Sequence, residues 1–483
     1  MIHIRMAMYK NIPRVLIASL QSGSGKTLIT AALAIALKHI CKIPPRIYKC
    51  GPDYIDPMFH RKTGCTAGTM DLFFSSEQEV NDKLANEVQN GQIAVFEGVM
   101  GLFDGIGAVT AEASSFYIAG ATQTPVVLVV DMRGMSLSVC ALIQGAVRFV
   151  PKNFAGAPAR IAGVILNRCP SGLAERLAPV IEENCAVSVF GAVPDTEELH
   201  IPHRYLGLTL PDEQKDIRVL LEQAAHLIET HVDISAILAA ACSAPPVKLP
   251  ELPRRCGTEA SVRTDCCAPT LAVARDEAFC FYYEENIALL KQCGFSIAYF
   301  SPLRDTSLPD EADAVYIGGG YPELYAAQLE ANTPMRNTLY TQAACGMPVF
   351  AECGGYLYLH RNVTCQDGRS YTWCGIVDGD CMWAGRLQRF GYITLCAKQD
   401  MLLLSKGETI RAHEFHYFTS TAAEGSCTAH KPAVQTQWDC IYIAPAHMNL
   451  FAGFPHLYLP SHPHAAQAFA AAAARYGKKR LLP

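Results

Sequence analysis

From residue 14 onward, short apolar runs rich in β-branched residues alternate with longer stretches of helical period. The runs read "RVLIAS", "IAVFEG", "PVVLVVD", "IAGVILN" and "VSVFGAVP". They are continuous rather than alternating, as expected of strands buried on both faces. Spaced by helices, such strands predict βαβ units and a parallel sheet. The pattern lapses after "ISAILAAAC". Residues 241–269, "ACSAPPVKLPELPRRCGTEASVRTDCCAP", carry Pro, Ser and charge without periodicity and read as a linker. A second alternation follows through "LAVARDEAF", "FSIAYFSP", "DAVYIGGG" and "MPVFAEC", and "HAAQAFAAAAARYGKK" predicts a terminal helix. The expectation is two tandem α/β domains, over 12–240 and 270–476, joined by the linker 241–269. A length of 483 residues agrees with more than one domain.

Half of the residues are apolar, 18% are charged and the formal net charge is −5, which describes a soluble globular chain. Nothing in that balance favours nucleic acid or an anionic membrane surface as a partner. The longest apolar runs, such as "TPVVLVVDM", have strand length and fall short of the roughly 20 residues of a membrane helix. The opening "MIHIRMAMYKNIPRVLIAS" has no apolar core of signal-peptide length before its first strand, so the cytoplasm is the expected location. The 20 cysteines are scattered without a C-x-x-C pair. Cys256, Cys266 and Cys267 cluster in the linker without zinc-type spacing, and most of the thiols read as small, reduced core residues.

The stretch "IASLQSGSGKTLITAALAIAL" runs strand, glycine loop, helix. Gly23 and Gly25, with Ser22 and Ser24, let backbone N–H groups close around phosphate oxygens. Lys26 adds charge at the outer phosphates and Thr27 can ligate Mg²⁺. Leu20 replaces the usual first glycine of the motif; the strand before and the helix after supply the context. Lys49 is counted with this ATP-binding set. Two acidic turns, "KCGPDYIDPMFH" and "FEGVMGLFDG", each follow a strand-like run and so belong to the carboxyl edge of the sheet, where open α/β sheets bind ligands. Thr27, Asp53 and Glu97 are the candidate metal ligands, because Mg²⁺ prefers hard oxygen donors. Asp53, Asp56 and Asp104 are candidates for handling an acceptor carboxylate.

In "VFAECGGYLYL", residues 349–359, a buried strand breaks at a cysteine and restarts as a helix. Gly354 and Gly355 permit so tight a corner, and the helix N-terminus favours the Cys353 thiolate. The Gly354 N–H points toward an oxyanion, with a second donor expected from Gly319 or Gly320 in "YIGGGYPE". A nucleophilic thiol needs a base. His456 in "AGFPHLYLPSHP" is the leading candidate; His462, His464, and His413 and His416 of "RAHEFHYF" are rivals.

These motifs resemble a known family. "KCGPDYIDPMFH", "FEGVMGLFDG", "GVILNR" and "IPHRYLGLTLPDE" are similar to the amino-terminal, dethiobiotin-synthetase-like P-loop domain of cobyrinate a,c-diamide synthases. "FPHLY" stands where the family's class I glutamine amidotransferase domain, of flavodoxin-like fold, carries its catalytic histidine, which implies His456 as the base. Most class I glutaminases place an acid two residues later; Tyr458 occupies that position, and the cobyrinate branch resembles this chain in lacking the acid. The resemblance therefore implies a Cys353–His456 dyad. It implies a carbon–nitrogen ligase of cobalamin biosynthesis that uses ATP, Mg²⁺ and glutamine. ATP would convert the c and a acetate carboxylates of cobyrinic acid to acyl phosphates, and ammonia from glutamine would displace the phosphate. It also places "HEFHYF" near the glutamine site with no assigned role for Glu414, and lets the arginines of "RLQRFGY" pair with macrocycle carboxylates. A homodimer is compatible with it.

Nickel-sirohydrochlorin a,c-diamide synthases of coenzyme F430 assembly and hydrogenobyrinate a,c-diamide synthases share the mechanism, and no residue here separates the macrocycles. Cobyric acid synthases have the same domain order but different first-domain motifs. A P-loop switch protein of the partitioning type would carry a second lysine early in the loop and have no use for the thiol turn.

Overall fold

The computed structural model describes residues 8–107, 109–152, 154–156, 158–196, 203–204, 207–208, 210–213, 216–250, 268–432 and 434–480. The chain divides into two compact units, Met1–Pro253 and Arg254–Pro483.

Seven parallel strands make the sheet of the first unit. Their spatial order is Thr66–Met70, Arg46–Cys50, Ala94–Glu97, Arg14–Ser19, Val126–Asp131, Ile161–Asn167 and Ser188–Val193. Every residue of the central Arg14–Ser19 and Val126–Asp131 strands is buried, which is why their sequences are unbroken apolar runs. The helix Lys26–Ile40 starts directly from the phosphate-type loop. Its small, continuous Ala and Ile face packs on that sheet and against the helix Ile217–His231.

The stretch read as linker begins inside this unit. The helix Ile234–Cys242 runs into it, and Val247–Lys248 pairs antiparallel with Tyr9–Lys10. The buried guanidinium of Arg14 donates to the carbonyls of Ile12, Thr122 and, at 2.8 Å, Pro245. A two-residue pairing has no period, and an arginine that bonds carbonyls leaves no hydrophobic signature, so neither was visible in the apolar pattern. Cys256, Cys266 and Cys267 lie outside the described residues.

The second unit holds a five-stranded parallel sheet in the order Ser296–Phe300, Thr270–Ala274, Ala312–Ile317, Val349–Glu352 and Leu450–Gly453. In chain order this is 2-1-3-4-5, the flavodoxin-like arrangement. A five-stranded antiparallel sheet accompanies it: Gln437–Tyr442, Glu424–His430, Arg389–Ala397, Thr409–His416 and His456–Leu457. The last helix spans Pro463–Arg480. Among the described residues, no helix is long and apolar enough to cross a membrane.

Candidate active sites

A cleft of about 350 Å³ opens at the carboxyl edge of the first sheet. Ser22, Gly23, Gly25, Lys26 and Thr27 line one side of it, with Lys49, Asp53, Asp56 and Glu97 among its acidic and basic wall residues. Gly23 and Gly25 have φ of 77° and 86°, in the left-handed region. A Cβ on Gly25 would sit 2.5 Å from Asn167 Nδ2, so this position is closed to other residues on two grounds. Ser24 is buried and its hydroxyl donates back to Gln21 O at 3.0 Å; the side chain braces the loop instead of lining the cleft. Lys26 Nζ donates to Ser19 Oγ and Met100 O, both at 2.7 Å. Burial and the nearby Lys49 charge pull its ammonium down to about 8.

Behind the loop lies a network that the parallel register builds. Lys49 and Glu97 are paired residues on adjacent strands, so their side chains share a face. Lys49 Nζ contacts Asp56 at 2.6 Å and Glu97 at 2.9 Å, and donates to Gly98 O at 3.0 Å. Lys49 thus stands on the cleft wall as a counter-charge for the acids. Thr27 Oγ1 donates to Glu97 Oε1 at 2.7 Å, and His60 Nε2 pairs with Glu97 Oε2. Burial alone would raise the Glu97 carboxyl, but Lys49 and His60 outweigh it and hold it well below the usual carboxylate range. Burial and the neighbouring Asp53 push Asp56 up to about 8.

Asp53 Oδ1 accepts from the N–H groups of Ile55 and Asp56, capping the helix Ile55–Lys62. Asp104 is exposed, lies off the cleft wall and caps its own turn through Gly101 N at 2.7 Å. The donor set of Thr27, Asp53, Asp56 and Glu97 is hard oxygen throughout and suits Mg²⁺.

Sequence reasoning missed three groups here. His60 stands one helical turn after Asp56, an i, i+4 spacing that could have found it. Asn167 and Arg168, at the end of the strand Ile161–Asn167, brace the glycine loop: Asn167 Nδ2 donates to Ser24 O at 2.8 Å and Arg168 Nη1 to Gly23 O at 3.0 Å. Their signal was a polar pair closing an otherwise apolar strand.

The second site lies at the carboxyl ends of three neighbouring strands of the second unit. Cys353 ends the strand Val349–Glu352 with φ 45° and ψ −103°, a strained conformation for a non-glycine residue. The two glycine turns meet here. A Cβ on Gly354 would fall 3.0 Å from Gly320 N, and one on Gly355 would fall 2.2 Å from Ile317 O. His456, just beyond the strand Leu450–Gly453, lies against Gly319, where a Cβ would be 2.4 Å from its Cε1. Gly319 therefore makes room for the base, while Gly320 stands beside Gly354 as the better placed second oxyanion donor. The Cys353 N–H itself is spent on Gly453 O at 2.8 Å.

Burial pulls the His456 imidazole down to about 3, with His416 adding to the shift, so the ring is neutral in this state. The helix Gly354–Leu359 is only six residues long, and its end does not prevail in activating the thiol. Burial pushes the Cys353 thiol up, Glu323, Glu414 and Glu352 add to the rise, and the Gly354 N–H pulls only partly against them. The pull of the helix terminus on the thiolate is present through the Gly354 N–H, and burial with the nearby carboxylates exceeds it.

Among the rival bases, His413 faces His456 across the antiparallel pairing of Thr409–His416 with His456–Leu457. His416 stacks on Phe454 at 3.8 Å and bonds Phe418 O and Glu414. His462 and His464 gather with Glu408. The strand carrying His456 is anchored from below: Glu352 Oε1 accepts from Leu457 N at 2.7 Å, and Asn286 bonds both Leu457 O and Leu459 N. Sequence reasoning missed Glu352 and Asn286, since a buried acid beside a cysteine has no pattern of its own.

The profile of the CobB/CobQ-like glutamine amidotransferase domain matches residues 270–463, and that of the CobQ/CobB/MinD/ParA nucleotide binding domain matches residues 15–206. A cobyrinate a,c-diamide synthase of Dehalococcoides mccartyi strain CBDB1 is 36% identical over 465 residues, covering 95% of this chain and 98% of the relative. The chain belongs to the cobyrinate a,c-diamide synthase family. Further members from Caldanaerobacter subterraneus and Thermoplasma volcanium are 34% and 38% identical over 96% and 84% of this chain, and over 99% and 86% of their own lengths. In this chain the nucleotide-binding domain comes first and the amidotransferase domain second.

Proposed function

We propose that this chain amidates the a and c acetate carboxylates of cobyrinic acid in cobalamin biosynthesis, using ATP and glutamine. The observation that carries the reading is that one chain holds both a P-loop cleft with an acidic wall and a glycine-flanked cysteine with a neutral histidine. It does so along nearly the full length of relatives named for that synthesis.

In the second unit, Cys353 attacks the side-chain amide carbon of glutamine. His456 takes the thiol proton and returns it to the departing nitrogen. The N–H groups of Gly354 and Gly320 receive the oxyanion. Ammonia leaves, and water cleaves the resulting glutamyl thioester to glutamate.

In the first unit, Ser22, Gly23, Gly25 and Lys26 hold the triphosphate, and Asp53 and Asp56, on the cleft wall, are the acids that meet an incoming carboxylate. Mg²⁺, held by Thr27, Asp53 and Glu97, would neutralise phosphate charge. The acceptor carboxylate takes the γ-phosphoryl group and ADP leaves; ammonia then attacks the acyl carbon and inorganic phosphate leaves. Lys49 and His60 keep Glu97 ionised throughout.

The test is a mass-spectrometric product assay with ATP, Mg²⁺ and glutamine, run separately on cobyrinic acid, hydrogenobyrinic acid and nickel-sirohydrochlorin. Two successive amidations of cobyrinic acid are expected. Amidation confined to another macrocycle would move the reading to that acceptor, and glutamine hydrolysis with no amidated product would leave only the glutaminase.

A further inference from the structure

A glutaminase that needs a thiolate has surrounded its thiol with carboxylates. Glu323 follows the strand Ala312–Ile317, Glu352 precedes Cys353 directly, and Glu414 belongs to Thr409–His416; all three raise the cost of ionising the thiol. Glu352 is accounted for, because it anchors Leu457 N and Tyr316 Oη, both at 2.7 Å. Glu414 is not. It is 3% exposed and its Oε2 is buried without a hydrogen-bond partner. Among the described residues its one ion-pair partner is His416, at 3.1 Å from Oε1. The basic groups nearby are engaged elsewhere: Lys431 Nζ bonds Phe390 O, and the Arg389 guanidinium lies 4.6 Å over the Trp438 ring. Glu424, at the start of the strand Glu424–His430, is taken up by Tyr356 Oη at 2.9 Å. The residue after Glu414 lies at the reaction centre, since Phe415 O is 3.9 Å from Cys353 Sγ. The residue before it, His413, faces His456. A half-partnered buried carboxylate is costly unless a cation arrives to meet it.

Resting on the reading of this site as the glutaminase, we infer that Glu414 is the docking point for the α-ammonium of glutamine. Glutamine alone among the reactants brings a cation to the thiol. Cys353, His456 and Glu414 are 8%, 3% and 3% exposed, and Glu414 immediately precedes the residue whose carbonyl meets the thiol. Docking cancels the Glu414 charge, which lowers the cost of ionising Cys353 at the moment its target is in place. The resting enzyme is thereby spared an idle, oxidisable thiolate.

The experiment compares glutamine with 4-carbamoylbutanoate, which is glutamine without its α-amino group, by release of ammonia from the full chain. For wild type the amino group should be worth about 10- to 100-fold in kcat/KM, the range of a charge-assisted hydrogen bond. Glu414→Gln should lose that factor toward glutamine while losing nothing toward 4-carbamoylbutanoate, where the easier ionisation of Cys353 raises kcat/KM if it changes it, and Glu414→Asp should recover part of the loss toward glutamine. The same Glu414→Gln protein, without substrate, should alkylate faster with iodoacetamide at fixed pH, because one anion beside Cys353 is gone; a merely structural role predicts no such gain. Equal losses on both substrates overturn the inference. Should Glu414→Gln fail to fold, equal kcat/KM of wild type for the two substrates overturns it as well. Absence of any glutamine hydrolysis by wild type would instead strike the glutaminase reading itself.

Discussion

Replacing Lys49 with methionine tests the electrostatic design of the first unit. Lys49 Nζ lies 2.9 Å from Glu97 Oε1, with side-chain exposures of 3% and 0%. At an effective dielectric of about 20 their attraction is worth about 6 kcal/mol gross. Desolvation of both ions offsets much of that, and breaking a buried pair by deleting one partner typically costs about 3–5 kcal/mol. Methionine keeps the volume, so the loss is electrostatic. The Thr27 hydrogen bond at 2.7 Å and the His60 contact remain to Glu97 and place the outcome at the lower end of that range. Hydrogen exchange followed by mass spectrometry reads this locally, in peptides spanning 46–50 and 94–97. Protection there should fall by about two powers of ten, at 1.4 kcal/mol per power. Adding Glu97→Gln should recover at least half of the loss, because the uncompensated charge goes with it. Protection unchanged within about threefold in Lys49→Met, less than 1 kcal/mol, would refute the counter-charge role.

Other outcomes are equally specific. Cys353→Ser should end glutamine-dependent amidation while ammonium salts still drive the synthesis; failure with ammonium too would sink the division of labour between the units. Gly319→Ala places a methyl 2.4 Å from His456 Cε1, and steady-state glutamate release should fall about 100-fold, the usual cost of misplacing a catalytic group by an ångström. The Lys26 ammonium, lowered to about 8 by burial, should make ATP affinity measured by calorimetry fall as pH rises through 8; a flat profile from pH 7 to 10 would contradict this. Burial holds the Glu352 carboxyl at about 8, above its ordinary 4.5. The folded state therefore keeps a proton that the unfolded chain loses, and stability drops as pH rises from 4.5 to 8, by at most about 1.4 kcal/mol per unit. In Glu352→Gln that part of the slope should vanish from urea denaturation curves; an unchanged slope would assign the proton elsewhere.

The sequence by itself determined what depends on local pattern. Continuous apolar runs between helical stretches mark strands covered on both faces, and the parallel sheets of both units follow from them. The loop was legible because the left-handed backbone at Gly23 and Gly25 favours glycine, and the corner at Cys353 because Gly354 and Gly355 leave no room for a Cβ; glycine at fixed spacing is visible in a string of letters. The resemblance of "FPHLY" pointed to His456 where spacing alone left five histidines open. Tertiary structure decided everything that depends on register. That Lys49 sits opposite Glu97 follows from how two parallel strands align, and it makes Lys49 a counter-charge for that carboxylate. That His60 reaches the same carboxylate depends on where the helix Ile55–Lys62 packs, and that Arg14 holds Pro245 depends on a contact 231 residues apart. The charge state of the thiol was decided the same way. A helix terminus can be read from the sequence, but the burial of Cys353 and the carboxylates folded around it from distant strands cannot, and those outweigh the terminus.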